Sequence, residues 1–214
     1  MKRTLVLAVG ILMLMSVVAV MTVSAGISGS SHDFSAYAAS WNPRGEVCIV
    51  CHTPHNANNT VAPLWNHAVT TATFTLYSSP SLNATMEQPS ASSRACLSCH
   101  DGTVAPDSIG GHTGHEKGLS GLLLIGTDLI NDHPISFTYD KTLATADGAL
   151  NDPTVKTVAS LGGKTIDASM LINHKLECGS CHDVHADKGD AVVMNYLLVV
   201  DNRGSALCLT CHNK

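Results

Sequence analysis

Five residues recur four times along this chain in the order Cys-x-x-Cys-His: Cys48 to His52, Cys96 to His100, Cys178 to His182, and Cys208 to His212. Together they use all eight cysteines. Two thiols three apart, followed at once by an imidazole, have the spacing of a c-type haem attachment site. The two sulfurs add to vinyl groups on one porphyrin edge, and the next residue swings its imidazole under the iron. Zinc ligation uses C-x-x-C pairs but needs no histidine after each second cysteine. A disulfide framework needs neither feature. Histidine is 12 of 214 residues, so four such placements by chance have odds of about 10⁻⁵.

The amino terminus fits this reading. Met1-Lys2-Arg3 is basic, Leu5 to Val23 is almost wholly apolar, and Val23-Ser24-Ala25 ends in small residues. That pattern predicts a secretory signal peptide over 1–25, cut after Ala25. An uncleaved membrane anchor is the alternative that the length of the apolar run leaves open. No cysteine lies near the cut, which excludes a lipid anchor there. C-type haem is attached outside the cytoplasm, so export agrees with the motifs.

The leader holds two of the 12 basic residues and none of the 17 acidic ones, so residues 26–214 carry a formal charge of −7. Haem propionates make the surface more acidic still. Nucleic acid and anionic membranes are poor partners for such a surface.

The chain has three Phe, four Tyr and two Trp. Shared among four haems, the mature chain supplies about 47 residues each, too few to hold a core without a staple. The predicted fold is therefore a multihaem cytochrome: mostly irregular loop, short helices at the C-x-x-C-H sites, little β, and a haem stack as the core. Metal binding would then be folding energy. An internal repeat divides the chain. One half reads His32, Cys48 to His55, then Cys96 to His100; the other reads His174, Cys178 to His185, then Cys208 to His212. Two dihaem units, about 32–100 and 174–212, in a single domain over 26–214 are the economical account.

Between the sites, Thr70 to Tyr77 reads as a short strand. Ser78 to Ser93 reads as loop, and Gly110 to Gly121 as a glycine-rich, mobile stretch. Leu122 to Ile130 is the strongest apolar run of the mature chain, a buried strand or a helical turn. Ala191 to Val200 is an apolar segment expected to cover a haem face.

Four histidines are proximal: His52, His100, His182 and His212. Eight remain for four distal positions, whereas only Met86, Met170 and Met194 survive removal of the leader. Methionine, the usual rival, cannot serve four irons, so bis-histidine ligation is expected throughout. His55 and His185, each three residues past a proximal histidine, point away from their own haem toward a neighbour. His133 follows, stiffened by Pro134 and with Asp132 able to orient its ring. His32 and His67 are further candidates, and Trp65 beside His67 suits a porphyrin face. His174 stands below these. His112 and His115 read as a solvated pair or a weak surface metal site.

The run Cys48 to His55 is followed by Pro63-Leu64-Trp65-Asn66-His67, Thr75-Leu76-Tyr77-Ser78-Ser79, Cys96 to Val104, Asn131 to Phe137, and Cys178 to His185. This series resembles tetrahaem cytochromes of the paired-CXXCH type whose subunits polymerise into extracellular haem filaments. The resemblance covers most of the mature chain. It implies four bis-His haems in a continuous stack and head-to-tail assembly into a homopolymer. In that scheme His55 donates to the His182 haem of a neighbouring subunit, and His185 serves the His212 haem in its own chain. His133 and either His32 or His67 serve the first two haems, and His174 has no required role.

Three functions share these residues. One is electron transfer by a secreted filament subunit at the cell surface, passing electrons to extracellular acceptors or other redox proteins. A second is a soluble tetrahaem carrier, periplasmic or at the surface, with every ligand in cis and His174 or His67 filling the last place. The third is a multihaem reductase of nitrite or a similar oxyanion, which needs an open coordination site. The ligand arithmetic does not call for one, so no catalytic residue and no enzyme activity are expected.

Overall fold

The computed structural model describes residues 26–37, 41–42, 44–61, 63–185 and 197–213. The leader over 1–25, Met194, and most of the apolar segment 191–200 lie outside the described residues. Irregular backbone dominates. Among the described residues the α-helices are α1 (Ala91–His100), α2 (Lys141–Asp147), α3 (Ile166–Ser169), α4 (Cys178–Cys181) and α5 (Ala206–Cys211). Among them, too, four two-residue strands make two small antiparallel ladders. β1 (Phe137–Thr138) pairs with β4 (Lys175–Leu176), and β2 (Thr157–Val158) with β3 (Lys164–Thr165). Among the described residues no helix is long and apolar enough to cross a membrane.

The helices start and stop for local reasons. α2 is capped by the Asp140 carboxylate, which accepts from Leu143 N, and ends at Gly148, whose φ of 71° suits glycine. α3 starts at Thr165, whose hydroxyl accepts from Ala168 N. α1 and α4 lie side by side, and α1 is anchored by its own polar residues. Arg94 donates to the carbonyls of Pro89, Thr70 and Ala72, with its guanidinium 5.5 Å from the centre of the Phe74 ring. Ser98 Oγ donates to Arg94 O and accepts from Thr70 N.

That anchoring explains why Thr70 to Tyr77 is not a strand. The segment is extended, but side chains satisfy its backbone. Gln88 brackets Phe74, accepting from its N–H and donating to its carbonyl, each at 2.9 Å. Its sheet pairing stops at one isolated parallel bridge, Thr75 to Asp128.

Two further expectations differ from the structure. Leu122 to Ile130 is not buried: Leu122 to Ile125 are exposed, Gly121–Leu123 is a 3₁₀ turn, and Leu129 alone joins a core cluster. The backbone of this run is committed to His100, whose carbonyl accepts from Ile125 and Gly126. The glycine-rich stretch is tied down as well. Asp107 accepts from the N–H groups of His115 and Glu116, and a Cβ at Gly114 would fall 2.1 Å from Asp107 Oδ1.

The polypeptide also has a side-chain core of its own. Phe137, Tyr139, Leu143, Ala144, Val158, Leu161, Ile166, Met170, Leu176, Val199 and Val200 form one buried cluster. Tyr139 closes it by donating to the carbonyls of Asn151 and Cys211. Most of this cluster comes from the sequence between the second and fourth attachment motifs, and a core made of cofactors alone does not account for it.

Candidate functional site

Each C-x-x-C-H segment closes into a helical turn. His52, His182 and His212 donate their backbone N–H to the carbonyls of Cys48, Cys178 and Cys208 at 2.9, 3.0 and 2.9 Å, and the second site forms the end of α1. That turn brings the two thiols and the imidazole to one side of the backbone. After it the chain leaves extended at His182 and His212. None of the eight cysteines is in a disulfide. Nor do they gather into two four-thiol sites: among the described residues no group of three or more His, Cys, Asp or Glu is arranged to hold a metal ion.

The second thiol of each pair is driven up by burial. Cys51 and Cys181 lie at about 11, and Cys99 and Cys211 at about 12. The secondary causes map which sites are neighbours. Cys51 adds to the rise at Cys99, and Cys181 to that at Cys211. Between them, the thiols of Cys96 and Cys178 share a hydrogen bond that pushes Cys96 up and Cys178 down. Electrostatic coupling therefore links the first site to the second, the second to the third, and the third to the fourth.

Three proximal histidines each face a histidine from a distant segment. The ring centroids of His52 and His185 are 6.1 Å apart, those of His32 and His100 6.1 Å, and those of His133 and His212 6.4 Å. The interplanar angles are 20°, 47° and 76°. An imidazole nitrogen sits about 2 Å from a transition metal and roughly 1 Å from its own ring centre, so two imidazoles trans on one ion have centroids about 6 Å apart. The ion fixes that distance but not the rotation about the axis. The near-constant spacing with scattered angles therefore fits a shared iron.

Ring tautomers are prepared in the same sense. His52 Nδ1 donates to Pro63 O at 2.9 Å, His100 Nδ1 to Leu123 O at 2.8 Å, and His133 Nδ1 to Pro134 O at 3.0 Å. Tying Nδ1 to a carbonyl leaves the Nε2 lone pair for a metal. His32 is held neutral differently: burial first, then the neighbouring His100 and His182, lower its pKa. Trp65 stands edge-on to His52.

The remaining candidates are placed otherwise. His185 lies beside His52, not His212, because the C-x-x-C-H-x-x-H turn carries its second imidazole across to the other half of the repeat. His67 is buried at 2 % exposure, with Nδ1 2.7 Å from Ala68 O and Nε2 3.0 Å from Ala105 O. Cys99 Sγ lies 3.7 Å from the same Nε2, so the ring is packed against the second attachment site, between that thiol and two carbonyls. His55 is exposed. His174 is exposed at the tip of a tight turn, its Nδ1 2.7 Å from Asp167 Oδ1. His182 contributes an isolated bridge with Leu198.

Sequence reasoning did not single out Glu177. It is buried at 1 % exposure and accepts from Ser93 and Ser136. Its place immediately before Cys178 was the available signal.

Residues 172–214 match the family described as the doubled CXXCH motif. No curated protein matches the chain. The match spans the third and fourth attachment segments, and over that stretch the chain is similar to c-type cytochromes that bind haem through such motifs. The helical turns, the Nδ1-to-carbonyl bonds and the histidine spacings fit covalent haem.

Proposed function

We propose that this cytochrome carries four covalent haems, each with two axial histidines, and serves extracellular electron transfer rather than catalysis. Cys48, Cys51, Cys96, Cys99, Cys178, Cys181, Cys208 and Cys211 hold the porphyrin edges. His52 with His185, His100 with His32, and His212 with His133 supply three axial pairs, and His182 is the proximal residue of the fourth. The bound haems supply one-electron chemistry. The polypeptide sets spacing, excludes water and tunes potential.

The observation that carries this reading is the near-constant centroid spacing of three histidine pairs drawn from distant segments. Histidine pairs of this kind would leave the irons at the His52, His100 and His212 sites no open position, which speaks against oxyanion reduction there. Electrostatic coupling between the thiols of successive attachment sites supports a path from one haem to the next.

The motif series resembles that of outer-membrane cytochrome E, a filament subunit. On that resemblance the chain is exported, the leader 1–25 is removed, and subunits join head to tail. His55, exposed beside the first site, would donate to the His182 haem of the next subunit. A heterologous contact that does not close yields a filament. A soluble carrier is the second reading, favoured by the three histidine pairs that this chain forms within itself. Electron microscopy of secreted material separates the two. Filaments that dissociate in a His55→Ala variant support assembly through His55, whereas discrete monomers with every haem low-spin support the carrier.

A further inference from the structure

Trp65 carries a donor that the chain does not use. Its ring is half-buried, and the indole Nε1 is buried with no hydrogen-bond partner among the described residues. An indole nitrogen donates and cannot accept, and a buried donor left unpaired is costly.

Loose packing does not explain the orphan, because the strap that carries it is fixed on both sides. Trp65 pairs with His52 and with Asn58 in antiparallel bridges, and its carbonyl accepts from Asn58 N at 2.7 Å. Leu64 O accepts from Thr53 N at 2.9 Å. Asn66 donates its backbone N–H to Cys51 O and its side-chain amide to Ile49 O, while its Oδ1 accepts from Gly110 N. Leu64 holds a left-handed backbone, φ 53°, which costs a leucine energy. Around that bend, one short strap meets the His52 imidazole twice. Pro63 O accepts from Nδ1 at 2.9 Å, and the Trp65 ring stands edge-on, centroids 6.2 Å apart and planes at 86°. The carbonyls of Pro63, Leu64 and Trp65 are thus all engaged, and the indole is held beside the first attachment site with its proton unspent.

The acceptor that this proton needs is the kind a bound haem carries. Cys48 and Cys51 hold the vinyl edge of the porphyrin, and its propionates are carboxylates, which when ionised accept only. Between Arg44 and Arg94 the sequence has no Lys or Arg, so the first attachment segment has no cation of its own for them.

We propose that Trp65 is a positioning residue for the haem attached at Cys48 and Cys51, donating its indole N–H to a propionate oxygen. Cys48 and Cys51 fix one edge of the ring and His52 with His185 fix its centre. Trp65 restrains the propionate edge, through a hydrogen bond to a charged acceptor that is stronger than a neutral one. The inference rests on the haem reading above.

The test is resonance Raman spectroscopy of the mature haem-loaded protein. Trp41→Phe leaves Trp65 as the one indole of the chain, and ultraviolet excitation then finds its N–H marker at the low frequency of a bonded indole. Trp65→Phe keeps an aromatic ring and removes the donor. With Soret excitation it lowers the propionate bending frequency of one haem, while the spin states are those of the wild type. In a His185→Ala background, where the haem at Cys48–Cys51 is high-spin, the shifted band belongs to the high-spin haem. Should Trp65→Phe not load haem, the indole marker of Trp41→Phe decides, and a bonded N–H supports the proposal. An unbonded indole, propionate bands that Trp65→Phe leaves in place, or a shift confined to a low-spin haem in the His185→Ala background overturns it. A protein without haem fails the reading beneath it instead.

Discussion

The imidazole of His185 lies 6.1 Å from that of His52, in planes only 20° apart, although 133 positions of sequence separate them. The pair joins the first attachment motif to the residue three past the third. The second half of the repeat therefore places a histidine against a proximal histidine of the first, while His133, from the sequence between the halves, lies beside His212.

Replacing His185 with alanine tests its pairing with His52. One iron loses its sixth ligand, so the ferric protein gains one high-spin haem per molecule and the reduced protein binds about one carbon monoxide. The perturbed haem is the one at Cys48–Cys51. Combination with His133→Ala gives two high-spin haems, because that variant acts on the His212 site.

His67 separates structural from ligating histidines. His67→Phe leaves the haem spectrum unchanged but strands whichever carbonyl, Ala68 or Ala105, the ring donates to, at a cost of about 1–3 kcal/mol for an unsatisfied buried group. Chemical denaturation measures the loss. A new high-spin signal would reassign His67 as a ligand.

Acid acts on His32. Its folded pKa is lowered from 6.5 by burial, with His100 and His182 adding to the effect. Below pH 6.5 the unfolded chain takes up a proton here that the folded chain does not, so stability falls with pH until the lowered folded value is reached. Denaturation followed across pH, compared with His32→Phe, measures that loss: the variant's stability depends less on pH below 6.5.

The side-chain core makes a separate contribution. Ile166, fully buried within it, costs about 2–5 kcal/mol when cut to alanine. Denaturation measures that loss, while the number of haems per chain is unchanged.

The four attachment turns were legible because their spacing is covalent: the chemistry admits one pattern of thiol and imidazole. The loop-rich fold followed from a chain with few aromatics and only about 47 mature residues for each attachment motif. Which distal histidine serves which site was not legible, since His185 can point to His52 or His212 with the same local sequence. Tertiary placement decides between them. For His67, Trp65 beside it suggested a porphyrin face, and the structure sets its ring between the carbonyls of Ala68 and Ala105 and the thiol of Cys99. The strand expected over Thr70 to Tyr77 failed because Gln88, Arg94 and Ser98 take the backbone bonds that a partner strand would have taken. The core around Ile166 was hidden by short apolar runs that no helical or alternating period joins.

Intact mass of the purified mature protein under denaturing conditions tests the central claim most directly. The account predicts the mass of the chain from Gly26 plus four haems, all retained because both sulfurs of every pair are bonded. A mass equal to the bare polypeptide would contradict it.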